Sequence, residues 1–143
     1  MTHRRMFIGI LMLLTAALPA AAQQRWTADS TTAMAVTGDV RFSPTRITFG
    51  NGAFLPLQFL RAVPGLTWMP GATKTTPASL YRITAPQNPG LLRGNLLCGA
   101  QPPTFITVAR KGDAIFLSVY DGPTEPTLPA NAYCAGYSYG MAQ

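Results

Sequence analysis

Residues 105–120 read FITVAR, KGD, AIFLSVY, and they decide the fold class. Ile106 and Val108 alternate with Thr107 and Ala109, and Ile115, Leu117 and Val119 alternate with Phe116 and Ser118. A period of two places alternate side chains on opposite faces of a strand. Lys111-Gly112-Asp113 between the two runs is turn chemistry. The sequence therefore predicts a β-hairpin, with Ala114–Tyr120 as its strongest strand.

The same grammar recurs on either side. Arg46–Phe49 (RITF) alternates and runs into Gly50-Asn51-Gly52, which can take the positive φ angles of a tight hairpin turn. Ala53–Leu60 (AFLPLQFL) follows, with Leu55, Leu57 and Phe59 on one face. Pro56 has no N–H to donate, which predicts an edge or a bulge there. Thr31–Thr37 (TTAMAVT), Val40–Phe42, Ser79–Thr84 (SLYRIT), Leu96–Cys98 and Tyr133–Tyr139 (YCAGYSY) complete the expected strands. Gln23–Ser30 reads as a polar lead-in anchored by Trp26, and Val63–Ala78 and Pro86–Gly94 read as loops. The expected core is Met34, Val36, Ile47, Phe49, Leu55, Leu57, Phe59, Ile83, Ile106, Val108, Ile115, Leu117 and Val119. The fold expected is all-β: a small antiparallel β-barrel or two-sheet sandwich of seven or eight strands with one disulfide. A barrel is favoured because closure hides strand edges.

Residues 1–22 read as a signal peptide. His3, Arg4 and Arg5 precede the apolar run Phe7–Leu18, then Pro19 and Ala20-Ala21-Ala22, so cleavage is expected before Gln23. Twelve apolar residues are too few to span a bilayer, which takes about 20. Residues 23–143 are then a single exported domain, periplasmic or secreted. Loss of Arg4 and Arg5 leaves nine basic against five acidic side chains, a net charge of about +4. These charges are scattered, which argues against nucleic acid as a partner. The two cysteines, Cys98 and Cys134, are expected to pair in an oxidising compartment.

Composition also removes chemistries. The one histidine, His3, lies in the leader, so the exported chain has no imidazole for a Ser-His or Cys-His nucleophile. Asp39, Asp113 and Asp121 each adjoin glycine, where aspartate is an ordinary turn former. No metal site and no cofactor is expected. Binding is the better lead. Trp68 lies in a proline-rich loop, either stacking on a partner or plugging one barrel end. Arg82, beside Tyr81 and Tyr120, is either an anion site or an exposed strand residue. Tyr133, Tyr137 and Tyr139 alternate, so they share one face, either core or a surface strip.

Ser30–Asp39 (STTAMAVTGD), Ser43–Gly50 (SPTRITFG), Leu80–Ala85 (LYRITA) and Leu96–Gly99 (LLCG) resemble small exported β-rich proteins of proteobacteria without assigned function. That resemblance implies export and a β-rich domain. Lys111-Gly112-Asp113-Ala114, the strand up to Asp121-Gly122 and the late Cys134 are similar in order to the final hairpin of the periplasmic inhibitors of C-type lysozyme, which are small disulfide-bearing β-barrels. Those inhibitors present a Ser-Gly-x-x-Tyr loop. The nearest stretch here, Ala78-Ser79-Leu80-Tyr81, lacks the glycine and the spacing, so no inhibitory residue carries over. The expected function is non-enzymatic binding of an envelope protein or anionic envelope polymer. The alternatives are inhibition of a lysozyme or other cell-wall hydrolase, and carriage of a small apolar ligand inside a barrel.

Overall fold

The structure, a computed structural model, describes residues 22–64, 76–126 and 133–143. Eight antiparallel strands follow one another around a closed up-and-down barrel: β1 (Gln24–Ala28), β2 (Val40–Ser43), β3 (Arg46–Thr48), β4 (Phe54–Pro64), β5 (Pro77–Ile83), β6 (Phe105–Lys111), β7 (Ala114–Tyr120) and β8 (Tyr133–Met141). β1 closes the ring against β8, with Trp26 opposite Met141 and Ala28 opposite Tyr139. The β6–β7 hairpin forms in the expected register, Ile106 opposite Val119 and Val108 opposite Leu117.

Inward-facing side chains fill the barrel: Val40, Ile47, Leu55, Leu57, Tyr81, Ile83, Ile106, Val108, Ile115, Leu117, Val119, Tyr137 and Tyr139. A second apolar cluster, Ala78, Leu80, Phe105, Ala109 and Tyr120, lies on the outward face of β5–β7 and is also buried. Residues 121–126 leave β7 and reach β4, where Glu125 pairs with Arg61 at 3.2 Å, so they pass over that outward face. Thr104 fastens this strap by donating its hydroxyl to the Gly122 carbonyl.

Four expectations need correction. Thr31–Thr37 is helical, not a strand, and ends in the π-helical turn Ala33–Thr37. Ser30 Oγ accepts the Ala33 N–H at 3.1 Å, a serine cap at the start of the turn. Gly38, at φ 63°, then ends it. The first strand is Gln24–Ala28, read from sequence as a lead-in. Leu96–Cys98 is not a strand. Met34 is 57% exposed and Phe59 50% exposed, so neither belongs to the core. Met34 points away from the barrel on a turn that buries Ala33 and Thr37. Phe59 faces inward opposite Tyr81, but β3 pairs with β4 only as far as Arg46 opposite Pro56, so no described strand pairs with β4 beside Phe59 on that side. The bulge of β4 falls between Phe59 and Arg61, three residues after Pro56.

The two ends of the barrel differ. At one end are the connections 29–39 and 84–104. They place Ala33, Leu91 and Leu97 over the interior as a plug. Two core tyrosines bond into it. The Tyr139 and Thr37 hydroxyls lie 2.9 Å apart, and Tyr137 donates to the Leu97 carbonyl at 2.9 Å. Beside them the Cys98–Cys134 disulfide, with Cα atoms 5.2 Å apart, ties the plug to β8. Gly50 N–H donates to the Thr37 carbonyl at 2.9 Å, and a Cβ at Gly50 would sit 3.0 Å from that oxygen. At the other end lie Gln24, the turns Pro44–Thr45 and Gly112–Asp113, Met141, and the ends of β4 and β5 at Pro64 and Pro77, whose connection falls almost wholly outside the described residues.

Two outcomes follow for stability. Replacing both cysteines with alanine is expected to lower the unfolding free energy by about 4 kcal/mol, the entropy of a closed loop of this length, read from urea melts. Burial pushes the Tyr137 hydroxyl up to about 12 and raises that of Tyr139 above its ordinary value near 10. A raised folded-state value stabilises the protein fully below pH 10, and that stabilisation is lost as pH climbs from about 10 toward 12. Burial pushes Tyr120 up to about 12 as well, so absorbance titration of tyrosinate should show at least three groups, Tyr120, Tyr137 and Tyr139, ionising only together with alkaline unfolding.

Candidate functional site: the open end of the barrel

The inward rows of β1, β2, β5, β6 and β7 continue past the packed core toward the end that carries the short turns. There they line a cavity of about 360 Å³. Its walls are Trp26, Phe42, Tyr81, Val108 and Ile115, with Gln24, Ser43, Ser79 and Arg110 as polar members. This volume is at the lower end of the range for small-ligand sites, about 300–1,000 Å³.

The aromatic members hold one another. Tyr81 stacks edge-on against Phe42, ring centres 5.4 Å apart, and against Phe59 at 5.7 Å. Such edge-to-face pairs align positive ring edges with negative ring faces. Burial raises the Tyr81 hydroxyl, and a hydrogen bond with Ser79 opposes that shift. Trp26 is 2% exposed, yet its indole Nε1–H has no acceptor among the described residues. The Arg110 guanidinium lies over the Trp26 ring, 5.4 Å from its centre. Nε of Arg110 reaches the Gly112 carbonyl only at 3.5 Å. The ion pairs among the described residues are Arg25–Asp39 and Arg61–Glu125, so Arg110 has no carboxylate partner there.

A second, outer cleft of about 260 Å³ runs between Arg25, Asp39, Arg41, Thr48 and Gly52. Asp39 is already engaged in it. Its carboxylate accepts the Ala28 N–H at 3.0 Å and meets Arg25 at 3.1 Å, and the backbone bond chiefly holds its pKa below the usual carboxylate value.

The residues singled out from sequence fall in separate places. Trp68 lies outside the described residues. Arg82 is exposed on the outer wall, 5.9 Å above the Phe105 ring, while Tyr81 points inward, so the two do not share a site. Tyr120 also lies on the outward side, within the cluster under the strap. Tyr137 and Tyr139 are interior, whereas Tyr133 is 50% exposed. The three do not share a face, because Tyr120 pairs with Tyr133 but Val119 with Ala135, and the extra residue Cys134 reverses the alternation. Cys98 and Cys134 are bonded. The Ser79-Leu80-Tyr81 stretch lies within β5 rather than in a presented loop. Among the described residues no group of three His, Cys, Asp or Glu could hold a metal ion, and no helix is long and apolar enough to cross a membrane.

Sequence reasoning missed the mouth because its members come from five strands far apart along the chain. Trp26 was visible as an anchor, but nothing local showed that Arg110 would stand over it. Comparison with protein families, characterised proteins and solved structures finds no match for the chain.

The missing acceptor at Trp26 can be measured. Trp26→Phe deletes an unsatisfied donor along with part of a ring, so the gain from the first offsets part of the loss from the second. Urea melts should show a loss of about 1 kcal/mol, well below the 3–5 kcal/mol of an ordinary truncation of a buried aromatic to alanine.

Proposed function

We propose that the protein is a non-enzymatic, exported binding barrel that carries one small apolar ligand in its open end. The motivating observation is the asymmetry of the ends. Among the described residues, one is filled by Ala33, Leu91 and Leu97 and tied by a disulfide, while the other keeps a cavity of about 360 Å³ walled by Trp26, Phe42, Tyr81, Val108 and Ile115. Binding sites in small barrels lie in such mouths, with apolar walls and a few placed polar groups. Export fits the leader Phe7–Leu18 and the Cys98–Cys134 bridge, which an oxidising compartment maintains. A binding role also fits an exported chain without histidine. Among the envelope components expected from sequence, these walls favour a small molecule over a polymer, since a polymer needs an extended surface.

The neutral dye N-phenyl-1-naphthylamine tests the assignment, because it fluoresces only out of water. Titration should give saturable binding of one dye per protein. Val108→Phe, which fills the cavity, and the milder Ser79→Leu should each weaken binding at least tenfold while urea melts stay cooperative. Absence of binding, or binding indifferent to both substitutions, rules the assignment out.

A further inference from the structure

We infer that the ligand of the mouth is an amphiphile with a single chain or ring system and one anionic head group, and that Arg110 is the residue that selects it. This presupposes the carrier assignment and adds the ligand's charge. The described lining contains one charged side chain, Arg110, and no carboxylate. The guanidinium is held against the Trp26 face, 5.4 Å from the ring centre, so it sits at a fixed place on the wall instead of being free in solvent. Its weak contact to Gly112 occupies Nε and leaves the terminal nitrogens to donate. A guanidinium donates two parallel N–H bonds to the oxygens of a carboxylate or phosphate. The indole N–H of Trp26, a second donor in the same wall, also lacks an acceptor among the described residues. Two donors and no acid favour an oxyanion at the rim with its apolar part on Phe42, Tyr81, Val108 and Ile115. Asp113, on the turn beyond Arg110, makes no ion pair with it. The volume suits one short chain or fused ring, so the ligand is a free monomer and not a two-chain lipid held in a bilayer.

Displacement of the bound neutral dye separates head-group selection from apolar binding. Octanoate, octanol and octylammonium share one tail. In the unmodified protein octanoate should displace the dye at about one tenth the concentration octanol needs, with octylammonium weakest, and added potassium chloride should shrink the difference. Arg110→Gln should bind the dye as before but no longer prefer octanoate, and Arg110→Lys should keep most of the preference. Equal displacement by octanoate and octanol, or a preference that survives Arg110→Gln, overturns the inference while leaving the carrier assignment standing. Failure of the dye to bind removes both. Sedimentation with phosphatidylglycerol vesicles, without displacement of the dye by octanoate, would assign the anion to a lipid surface and also overturn it.

Discussion

A closed eight-stranded barrel encloses a space that side chains alone must fill, and the lengths of its connections decide which end can be covered. A two-residue turn cannot cross the mouth of such a barrel. Pro44–Thr45 and Gly112–Asp113 turn back at once, so the end they form has no plug from them. Connections 29–39 and 84–104 are long enough to fold inward, and they carry the apolar side chains to do it. The disulfide falls at the plugged end, where it constrains the longer of these connections against β8.

Much of this was legible wherever alternation was strong. β6, β7, β3 and most of β4 follow their apolar residues, and Gly50-Asn51-Gly52 forms the turn that its φ freedom suggested, with Gly52 at φ 89°. The failures have separate physical causes. β1 has one buried residue, Trp26, between polar neighbours, and a single inward side chain shows no period. It is a strand because β2 and β8 pair with it on either side. Thr31–Thr37 has the small and branched residues of a strand, but Ser30 before it and Gly38 after it are helix punctuation, and the plug needs a compact turn there. One extra residue at Cys134 turned Tyr133 outward, and no pattern in YCAGYSY announces a bulge. The site was the least legible part. Its aromatic and basic residues were visible one by one, but their meeting depends on how eight strands close, which is a non-local event.

Buried polar groups are left unsatisfied toward both ends: Asn88 Oδ1, in connection 84–104, and Trp26 Nε1 lack a partner among the described residues. At the plugged end the hydroxyls of Tyr137, Tyr139 and Thr37 all have partners within 3.1 Å, as buried polar groups require. At the end with the cavity, among the described residues, a buried indole N–H goes without an acceptor, a phenylalanine is half exposed, and a guanidinium stands beside an aromatic wall with no counter-charge. Each of these costs stability taken alone: an unmade hydrogen bond about 1–3 kcal/mol, and an exposed ring the burial it forgoes. A sequence consistent with its fold breaks local rules mainly where function requires it. Here two of them, at Trp26 and Arg110, lie in the lining of one cavity. The proposed ligand, with an apolar body and an oxyanion, would remedy both, supplying an acceptor to Trp26 and neutralising Arg110.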